Sequence, residues 1–287
     1  MNIGFVGAGK VATAFGRYVH ACGEAVSGYF DRHPDKVDHA ARATSSKACR
    51  SALELAACSE IILITTRDDQ IAEACEALCR QGGVTRHHAV GHMSGAHASD
   101  ILQAAQAQGA MIFSLHPLQA FAEEDKAVAE LPRTFFSLEG QTDRLHLIET
   151  LLGRMGNPYF TISAHHKSLY HLSACILSNY LVTLMDAGLS ALEHSGIDPR
   201  QGFQAMRPLI EGTLANIAEM GTARALTGPI ARGDSGTIRT HLESLDSHGL
   251  DEIRSLYTFM GARTLRLAGR SILQSAEKVD AVRSLLD

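Results

Sequence analysis

The sequence lacks any long run of lysine or arginine. Its 26 Lys and Arg residues are outnumbered by 31 Asp and Glu residues, which gives a formal net charge of -5. A nucleic-acid-binding domain normally carries a basic patch or stripe. The sequence therefore predicts no nucleic-acid partner, and its acidic balance mainly favours solubility.

Targeting and membrane signals are also missing. The first residues contain no basic segment followed by a cleavable apolar stretch, so we expect no signal peptide. The most apolar segment, residues 172–192, is interrupted by Ser178, Asn179 and Asp186, and it is typical of a long buried helix. We expect no membrane partner and a cytoplasmic location.

Metal-binding patterns are weak. None of the six cysteines forms a C-x-x-C pair, and Cys75 and Cys79 have no second pair to complete a zinc site. Free cysteines of this kind behave as small buried apolar residues. His92 and His97 lack a companion Cys or carboxylate at a familiar ligand spacing. The sequence predicts no metal.

The first half of the chain alternates between short β-type runs and helical stretches. This alternation is typical of a doubly wound parallel sheet. Near Ser163 the β-type runs give way to helical periodicity. The predicted fold class is α/β, with an N-terminal Rossmann domain at residues 1–160 and an all-helical domain at residues 161–287. The predicted strands are residues 3–6, 25–30, 61–65, 89–92, 110–114 and 134–138.

The second half should begin with an unusually long helix. Ser163 is expected to cap it, and Gly196 to end it in a left-handed conformation. Asp198 and Pro199 then start another helix, which Pro208 should break or kink. A helix so long and apolar needs more cover than one small domain provides, so we expect a homodimer.

The strongest local motif is Gly7-Ala8-Gly9-Lys10-Val11-Ala12, which matches G-x-G-x-x-A between a strand and a helix. Gly7 permits a tight turn, Gly9 lets the backbone approach a diphosphate, and Ala12 allows close packing of helix and sheet. The N–H groups of the first helical turn, at Lys10 and Val11, can then face the phosphates. The motif predicts a dinucleotide site.

The second strand ends at Asp31-Arg32, where the ribose-binding residue of such a site is expected. Asp31 would accept hydrogen bonds from ribose hydroxyls and repel a 2′-phosphate, whereas Arg32 would attract that phosphate. The residues alone leave NAD and NADP open. Further contacts are expected from polar turns at strand ends, at residues 65–68, 91–95 and 114–117, with Thr66, Arg67 and Ser94 as candidates.

Four side chains are candidates for moving a proton. Lys167 and His171 are four residues apart on the long helix and share a face, and Ser178 falls on the same stripe. The alternative is an exposed Lys167 beside an interfacial histidine, since lysine is rarely buried without a partner. His92 and His116 also follow predicted strands, and imidazoles titrate near neutral pH. Either histidine could instead be structural.

Taken together, several motifs resemble the Rossmann-like oxidoreductases that carry a C-terminal domain of unknown function. The motifs are His92-Met93-Ser94-Gly95, Leu115-His116-Pro117-Leu118-Gln119, Lys167-x-x-Tyr170-His171, Ser178-Asn179-Tyr180 and residues 226–234. The resemblance implies a fold similar to pyrroline-5-carboxylate reductase and the 3-hydroxyacid dehydrogenases, with a C-terminal domain of the 6-phosphogluconate dehydrogenase type. It also favours NADP, with NAD possible.

The resemblance and the motifs together predict an oxidoreductase. The expected reaction is hydride transfer between NAD(P) and a small carbonyl, imine or hydroxy-acid substrate. In the helical half, the glycine-rich segment at residues 227–234 is expected to bind substrate or close over the cofactor, and Arg232 could pair with a substrate carboxylate. Asp234 could instead cap the next helix. Thr227, Asn216 and Ser178 are further substrate candidates. The competing hypothesis is a non-catalytic dinucleotide-binding sensor.

Overall fold

The structure, a computed structural model, describes residues 1–141 and 144–287. The chain forms two compact units, Met1–Leu177 and Ser178–Asp287. They divide within the helical segment Ala164–His194, later in the chain than residue 160. The predicted functional division at residues 160/161 stays a prediction.

The first unit is built on an eight-stranded sheet in the order β3-β2-β1-β4-β5-β6-β7-β8. All neighbouring strands are parallel except β6 and β7. The chain moves outward in one direction from β1 and in the other from β4, so these strands flank the point where ligands bind such sheets. The strands are β1 (Asn2–Val6), β2 (Ala25–Phe30), β3 (Lys47–Ala48), β4 (Ile61–Ile64), β5 (Ala89–His92), β6 (Met111–Pro117), β7 (Phe136–Gly140) and β8 (Tyr159–Thr161).

Helices cover both faces of this sheet. On one face Phe5 stacks on Tyr29 and packs edge-on against Phe15. On the other, Ile62 and Leu78 lie in a second buried cluster. Two covered faces explain the near-continuous apolar run of β4. The helices are α1 (Lys10–Ala21), α2 (Pro34–Ala43), α3 (Ala52–Ala56), α4 (Ile71–Arg80), α5 (Gln103–Ala107), α6 (Glu124–Glu130), α7 (His146–Met155) and α8 (Lys167–Ala174).

The second unit contains only helices within the residues described. Ile238, Leu265 and Val282 belong to its buried core. The helices are α9 (Tyr180–His194), α10 (Pro199–Met220), α11 (Thr222–Ala225), α12 (Pro229–Arg232), α13 (Ser235–Ser247), α14 (Asp251–Ala268) and α15 (Ala276–Leu286). A parallel-sheet unit followed by a helical unit confirms the predicted fold class.

Some local predictions were wrong. Strands β3 and β8 were missed because both are short and exposed, which leaves no apolar alternation to detect. Strand β6 continues to Pro117, so His116 lies on the strand and not in a turn. Helix α10 continues through Pro208, so the predicted break at this residue is wrong and the predicted kink stays a prediction. A proline inside a helix removes one backbone hydrogen bond, here to the carbonyl of Gln204, and the rest of α10 tolerates that loss.

The long helical segment Ala164–His194 has 31 residues and is not a uniform α-helix. A π-helical turn, Cys175–Asn179, separates α8 from α9. At its start, Ser163 Oγ lies 2.9 Å from Nδ1 of His166 and caps no backbone N–H, contrary to prediction. After α9, Gly196 adopts φ +84°, the left-handed conformation that was predicted.

The same segment is long and apolar enough to cross a membrane by length and composition, and its most apolar window is not buried within the chain. This segment was predicted to be a buried helix. That prediction is wrong within one chain, because the apolar window is exposed there. The absence of a membrane partner and the cytoplasmic location stay predictions.

Candidate active site

The candidate site lies at the carboxyl edge of the sheet, where one row of paired residues crosses six strands. Val6 pairs with both Phe30 and Ile64, Ile64 with His92, His92 with Ser114, and Ser114 with Glu139. The row turns from apolar to polar at His92. This register brings the ends of β1, β2 and β4 to the same edge as the polar groups of β5 and β6.

The glycine motif forms the turn between β1 and α1. Gly7 has φ +104°, and a Cβ there would lie 2.8 Å from the backbone of Thr65. Only glycine meets both conditions without strain. A Cβ at Gly9 would meet no atom of the described residues within 4 Å, so open space lies next to its backbone. Val11 lies in the first turn of α1, where unpaired N–H groups favour an anion.

Lys10 was predicted to contact the cofactor. Its Nζ donates a 2.6 Å hydrogen bond to the carbonyl of Ala122, in the segment that follows β6. The ammonium group is exposed and held by one neutral acceptor.

Asp31, at the end of β2, is already engaged within the chain. Oδ2 accepts from the N–H of Ala8 at 2.9 Å, and Oδ1 accepts from the N–H of His33 and lies 2.9 Å from its Nδ1. Burial alone would raise the pKa of this carboxyl group, but the hydrogen bonds from Ala8 and His33 outweigh it and lower the pKa. Asp31 therefore fixes the glycine turn to β2 as an ionised carboxylate.

A cavity of about 350 Å³ opens beside this turn. Its lining includes Gly7, Gly9, Asp31, Arg32, His33, Lys36, Thr66 and Arg67. Thr66 Oγ1 is buried without a hydrogen-bond partner among the described residues. Open glycine backbone and an orphaned hydroxyl are what a dinucleotide would complete, so the cavity fits NAD(P).

Two other predicted cofactor contacts differ in their surroundings. Arg67 is exposed and forms a 2.9 Å ion pair with Asp69. Ser94 is buried, and its Oγ accepts a 3.1 Å hydrogen bond from the N–H of Ala96. Ser94 shapes the loop after β5, whereas Arg67 lies at the rim of the cavity.

Lys167 is 1% exposed, and its Nζ donates a 2.7 Å hydrogen bond to Ser114 Oγ. Nζ also lies 5.6 Å from the centre of the Tyr170 ring. Burial lowers the pKa of Lys167 to about 8, and the nearby Glu139 opposes this shift. The alternative of an exposed lysine is wrong, because α8 carries its first residue against the sheet.

His92 is fully buried with both ring nitrogens in use. Nε2 lies 3.1 Å from the carbonyl of Ala98, and Nδ1 accepts from the N–H of Ser94 at 3.2 Å. Burial lowers the pKa of His92 to about 4; the Ala98 carbonyl opposes this shift, and Lys167 adds to it. A neutral ring bonded at both ends holds the loop after β5 in place.

His116 and Tyr170 form a polar pair between β6 and α8. Nδ1 of His116 lies 2.7 Å from the Tyr170 hydroxyl oxygen. Burial lowers the pKa of His116 to about 4. Smaller contributions in the same direction come from the nearby Lys167, His171 and His92. Burial raises the pKa of Tyr170. Near neutral pH the pair consists of an uncharged imidazole and a protonated phenol.

His171 lies one turn beyond Lys167. Its Nε2 is 3.5 Å from Cys175 Sγ, and its Nδ1 is buried without a partner among the described residues. The His171 and His116 rings meet edge to face with their centres 6.4 Å apart. Three of the predicted catalytic residues, Lys167, His171 and His116, thus lie in one cluster, and His92 is near enough to contribute to the lowered pKa of His116.

The predicted substrate residues fall in the second unit. Asp234 accepts from the N–H and hydroxyl of Thr237, so it caps α13, as its alternative assignment anticipated. The expected loop at residues 227–234 contains the short helix α12. Ser178 does not continue the Lys167 stripe regularly, because the π-helical turn changes the helical phase. Ser178, Asn216, Thr227 and Arg232 are exposed.

Family models match both halves of the chain. A Rossmann-like domain matches residues 1–117, and a domain of unknown function, DUF2520, matches residues 134–264. The DUF2520 match takes in Lys167, Tyr170 and His171, and the Rossmann-like match takes in the glycine turn. No curated protein matches the chain in sequence.

Solved structures share the fold of this chain. A Bacteroides fragilis protein described as an NADP oxidoreductase is 18% identical, with a TM-score of 0.75, covering 92% of this chain and 98% of that chain. An Aspergillus terreus reductive aminase in complex with NADPH and ethyl-5-oxohexanoate is 12% identical, with a TM-score of 0.60. The match covers 99% of this chain and 92% of that chain.

A pyrroline-5-carboxylate reductase from Coxiella burnetii is 16% identical, with a TM-score of 0.56, covering 99% of this chain and 98% of that chain. The predicted similarity to this enzyme is confirmed at the level of the fold.

Sequence reasoning missed four polar residues of the candidate site. Ser114 was predicted as the last residue of a strand and the first of a polar turn, without a role, whereas its hydroxyl accepts from Lys167. Tyr170 was quoted in a motif without a role, although its i,i+3 spacing from Lys167 places both on one helix face. His33 and Lys36 line the cavity beside the glycine turn. Because they closely follow Asp31 and Arg32 in sequence, they could have been predicted as cofactor contacts. Within residues 1–141 and 144–287, no three His, Cys, Asp or Glu residues are grouped to hold a metal ion.

Proposed function

We propose that this protein is an NADP-dependent oxidoreductase that reduces, or forms by oxidation, a small carbonyl, imine or hydroxy-acid compound. The observation that carries the proposal is the buried ammonium group of Lys167, bonded to Ser114 at the sheet edge that also holds the glycine turn. Burying a lysine ammonium group costs desolvation free energy, so a buried lysine usually has a functional role. Proton transfer near neutral pH is such a role.

The cavity beside the glycine turn supports the cofactor assignment. Gly7 and Gly9 would admit the diphosphate, and the first turn of α1 would donate N–H groups to it. When bound, the nicotinamide supplies the hydride chemistry that side chains lack. The residues of this chain then have to bind the substrate, exclude water and handle one proton.

Lys167 is proposed to exchange that proton. Its pKa of about 8 leaves both the ammonium and the free amine populated near neutral pH. In reduction the ammonium donates to the substrate oxygen or nitrogen, and in oxidation the amine accepts the proton back. Ser114 accepts from Nζ and so fixes the direction of the donor.

The remaining polar groups are proposed to position this machinery. His92 bonds Ala98 and Ser94 and keeps the loop after β5 in one conformation. His116 and Tyr170 cover the side of Lys167 with uncharged hydrogen-bonding groups. Because His92 has no free ring nitrogen, Lys167 is the better proton donor of the two.

NADP is proposed as the preferred cofactor. Arg32, His33 and Lys36 line the cavity after β2 and would surround a 2′-phosphate with three basic groups. Asp31 would repel that phosphate, but its carboxylate already accepts hydrogen bonds from Ala8 and His33, which partly offset its negative charge. Phosphate recognition by Arg is favoured by its paired N–H groups.

A substrate screen tests the proposed reaction. The protein and NADPH would be mixed with panels of small oxo acids, ketones and imines, and NADPH oxidation followed by absorbance. Lys167→Met should lower turnover by about 10²–10⁴-fold with NADPH affinity unchanged. The exposed Lys126 gives a matched control, and Lys126→Met should leave turnover intact. NADPH binding without turnover on any panel would favour the sensor hypothesis.

We also propose that the protein acts as a homodimer. Helices α9 and α10 expose Tyr180, Val182, Phe203, Leu209 and Leu214, which together we call the α9–α10 surface. Several large apolar side chains exposed on neighbouring helices are typical of a protein–protein interface. A second copy of the chain would cover it.

A further inference from the structure

Strand β7 directs a carboxylate to the sheet face on which Ser114 lies. Phe136 and Leu138 belong to the buried apolar cluster on the opposite face. Because side chains alternate along a strand, Ser137 and Glu139 point the other way. In the antiparallel ladder of β6 and β7, Ser114 pairs directly with Glu139. Directly paired side chains share one face, with Cβ atoms about 4.5–5.5 Å apart.

Glu139 and Lys167 are two buried ionisable groups with Ser114 as a common neighbour. Lys167 is 1% exposed and Glu139 is 4% exposed. Nζ of Lys167 donates its hydrogen bond to Ser114 Oγ, and Ser114 is the cross-strand partner of Glu139. An ammonium group buried without an opposite charge loses the stabilisation that water gives it. The carboxylate beside Ser114 supplies that opposite charge.

The position of the Glu139 carboxylate is fixed by Ser99. Oε2 accepts from the N–H of Ser99 at 2.6 Å, and Oε1 accepts from its hydroxyl at 2.9 Å. Ser99 begins the 3₁₀ turn Ser99–Leu102, directly after Ala98, whose carbonyl lies 3.1 Å from Nε2 of His92. Donated hydrogen bonds of this kind stabilise a negative charge and hold it in place. The carboxylate is therefore anchored, and its charge acts on Lys167 across Ser114.

The other titratable groups around Lys167 bring no negative charge near neutral pH. They lie on β5, β6 and α8 and are His92, His116, Tyr170 and His171. The two strand histidines have a pKa of about 4 and are neutral, and burial keeps the Tyr170 phenol protonated. Among the described residues, Glu139 is the carboxylate that opposes the effect of burial on the pKa of Lys167.

We propose that Glu139 is the counter-charge of Lys167, a positioning residue that holds the proton on the buried ammonium group from across Ser114. Its role in the reaction rests on the proposed function: with Glu139 in place, Lys167 is ready to donate in the direction of reduction. Removing the charge of Glu139 should favour the free amine.

Lysine NMR on the full chain tests this pair without any turnover. The sequence contains six lysines, so the carbon-13 signals of their Cε atoms can be followed through a pH titration. Lys167 is assigned by the signal that Lys167→Met removes. Glu139→Gln keeps the shape of the side chain and can still accept from the Ser99 N–H. In this variant the Lys167 midpoint should fall by about half a unit or more, because the ammonium loses its opposite charge.

Two controls separate the charge from its surroundings. Ser99→Ala removes the hydroxyl bond to Glu139 but leaves the carboxylate, so the Lys167 midpoint should move less than in Glu139→Gln. Glu76→Gln removes an exposed carboxylate on α4 and should leave the midpoint where it is in the wild type. An equal fall in Ser99→Ala and Glu139→Gln would overturn the proposal, because the shift would then follow local packing and not the charge.

The pH profile of reduction gives a second readout once a substrate is found. In Glu139→Gln the rate should begin to fall at a lower pH than in the wild type, and the rate at the low-pH plateau should stay close to the wild-type value. A lower rate at every pH with an unchanged midpoint would indicate a structural role alone and would overturn the proposal.

A double variant decides if Glu139→Gln fails to fold. Removing one partner of a buried pair leaves an unbalanced charge, whereas removing both is often tolerated. Lys167→Met combined with Glu139→Gln should therefore fold. Failure of this double variant to fold, or an unmoved Lys167 midpoint in folded Glu139→Gln, would overturn the proposal. Failure of NADPH to bind would overturn the proposed function instead, and the NMR titration would still decide the pair.

Discussion

Lys167 shows at the residue scale how burial creates a proton donor. Its Nζ is held by Ser114, and burial lowers its pKa to about 8. Reduction needs the ammonium form, so the reduction rate should fall as pH rises through about 8. Oxidation needs the free amine and should show the opposite dependence. Measured pH profiles of kcat in both directions check this sign.

A charge-retaining variant separates Lys167 from other titrating groups. Lys167→Arg stays protonated at every working pH, because a guanidinium titrates only at about pH 12 or above. The fall near pH 8 should therefore vanish in this variant, whatever its residual rate. A Lys167→Arg enzyme with the same midpoint would assign the titration to another group.

Arg32 and Lys36 are proposed to select NADPH over NADH by binding its 2′-phosphate. Arg32→Ala with Lys36→Ala should weaken NADPH by about 10–100-fold, because charge-assisted hydrogen bonds to a phosphate are lost. NADH affinity should change little, since NADH has no 2′-phosphate. Fluorescence titration of both cofactors measures the ratio. An equal loss for the two cofactors would contradict the assignment.

At the scale of elements, the packing of α1 on β2 depends on a glycine. A Cβ at Gly16 would overlap the Tyr29 hydroxyl oxygen, which is buried without a partner among the described residues. Gly16→Ala should therefore destabilise the protein by about 1–3 kcal/mol through overpacking. Tyr29→Phe, which removes an unsatisfied buried hydroxyl, should be neutral or stabilising.

A double-mutant cycle on these residues tests the contact. In Tyr29→Phe the cost of Gly16→Ala should shrink, because the nearest atom is gone and the next, Tyr29 Cζ, lies 3.0 Å away. Urea unfolding of the four proteins gives the coupling energy. Additive effects would show that α1 and β2 do not press on each other here.

The elements that could be predicted are those with a clear pattern of apolar residues and a glycine or proline at their ends. The glycine turn, the strands β1, β2, β4 and β5, and the left-handed end at Gly196 follow from local rules. Strands β3 and β8 depend on pairing with distant neighbours and carry no local signal. The π-helical turn at Cys175–Asn179 has none either, so the helical phase beyond it could not be predicted.

The candidate site shows the same division. The i,i+4 spacing placed Lys167 and His171 on one face without any structure. Their partners come from β6, far away in sequence, so Ser114 and the His116–Tyr170 pair needed the fold. The close approach of the His116 and His171 rings to Gly95 also depends on three separate segments meeting.

At the scale of the whole molecule, the α9–α10 surface leads to a test of the proposed homodimer. Light scattering should give twice the chain mass of 30.8 kDa. Val182→Asp with Leu209→Asp should shift the protein toward the monomer, because two charges would have to be buried in the interface. Leu53→Asp, on the exposed face of α3, is the matched control. A wild-type monomer would contradict the dimer.

The central claim is that the glycine turn holds NADP, and calorimetric titration of NADPH tests it most directly. Wild-type protein should bind one NADPH per chain, more tightly than NADH. Gly9→Val places a side chain in the open space where the diphosphate belongs and should abolish binding without unfolding the protein. If neither NADPH nor NADH binds the wild type, or Gly9→Val binds NADPH equally well, the account is contradicted.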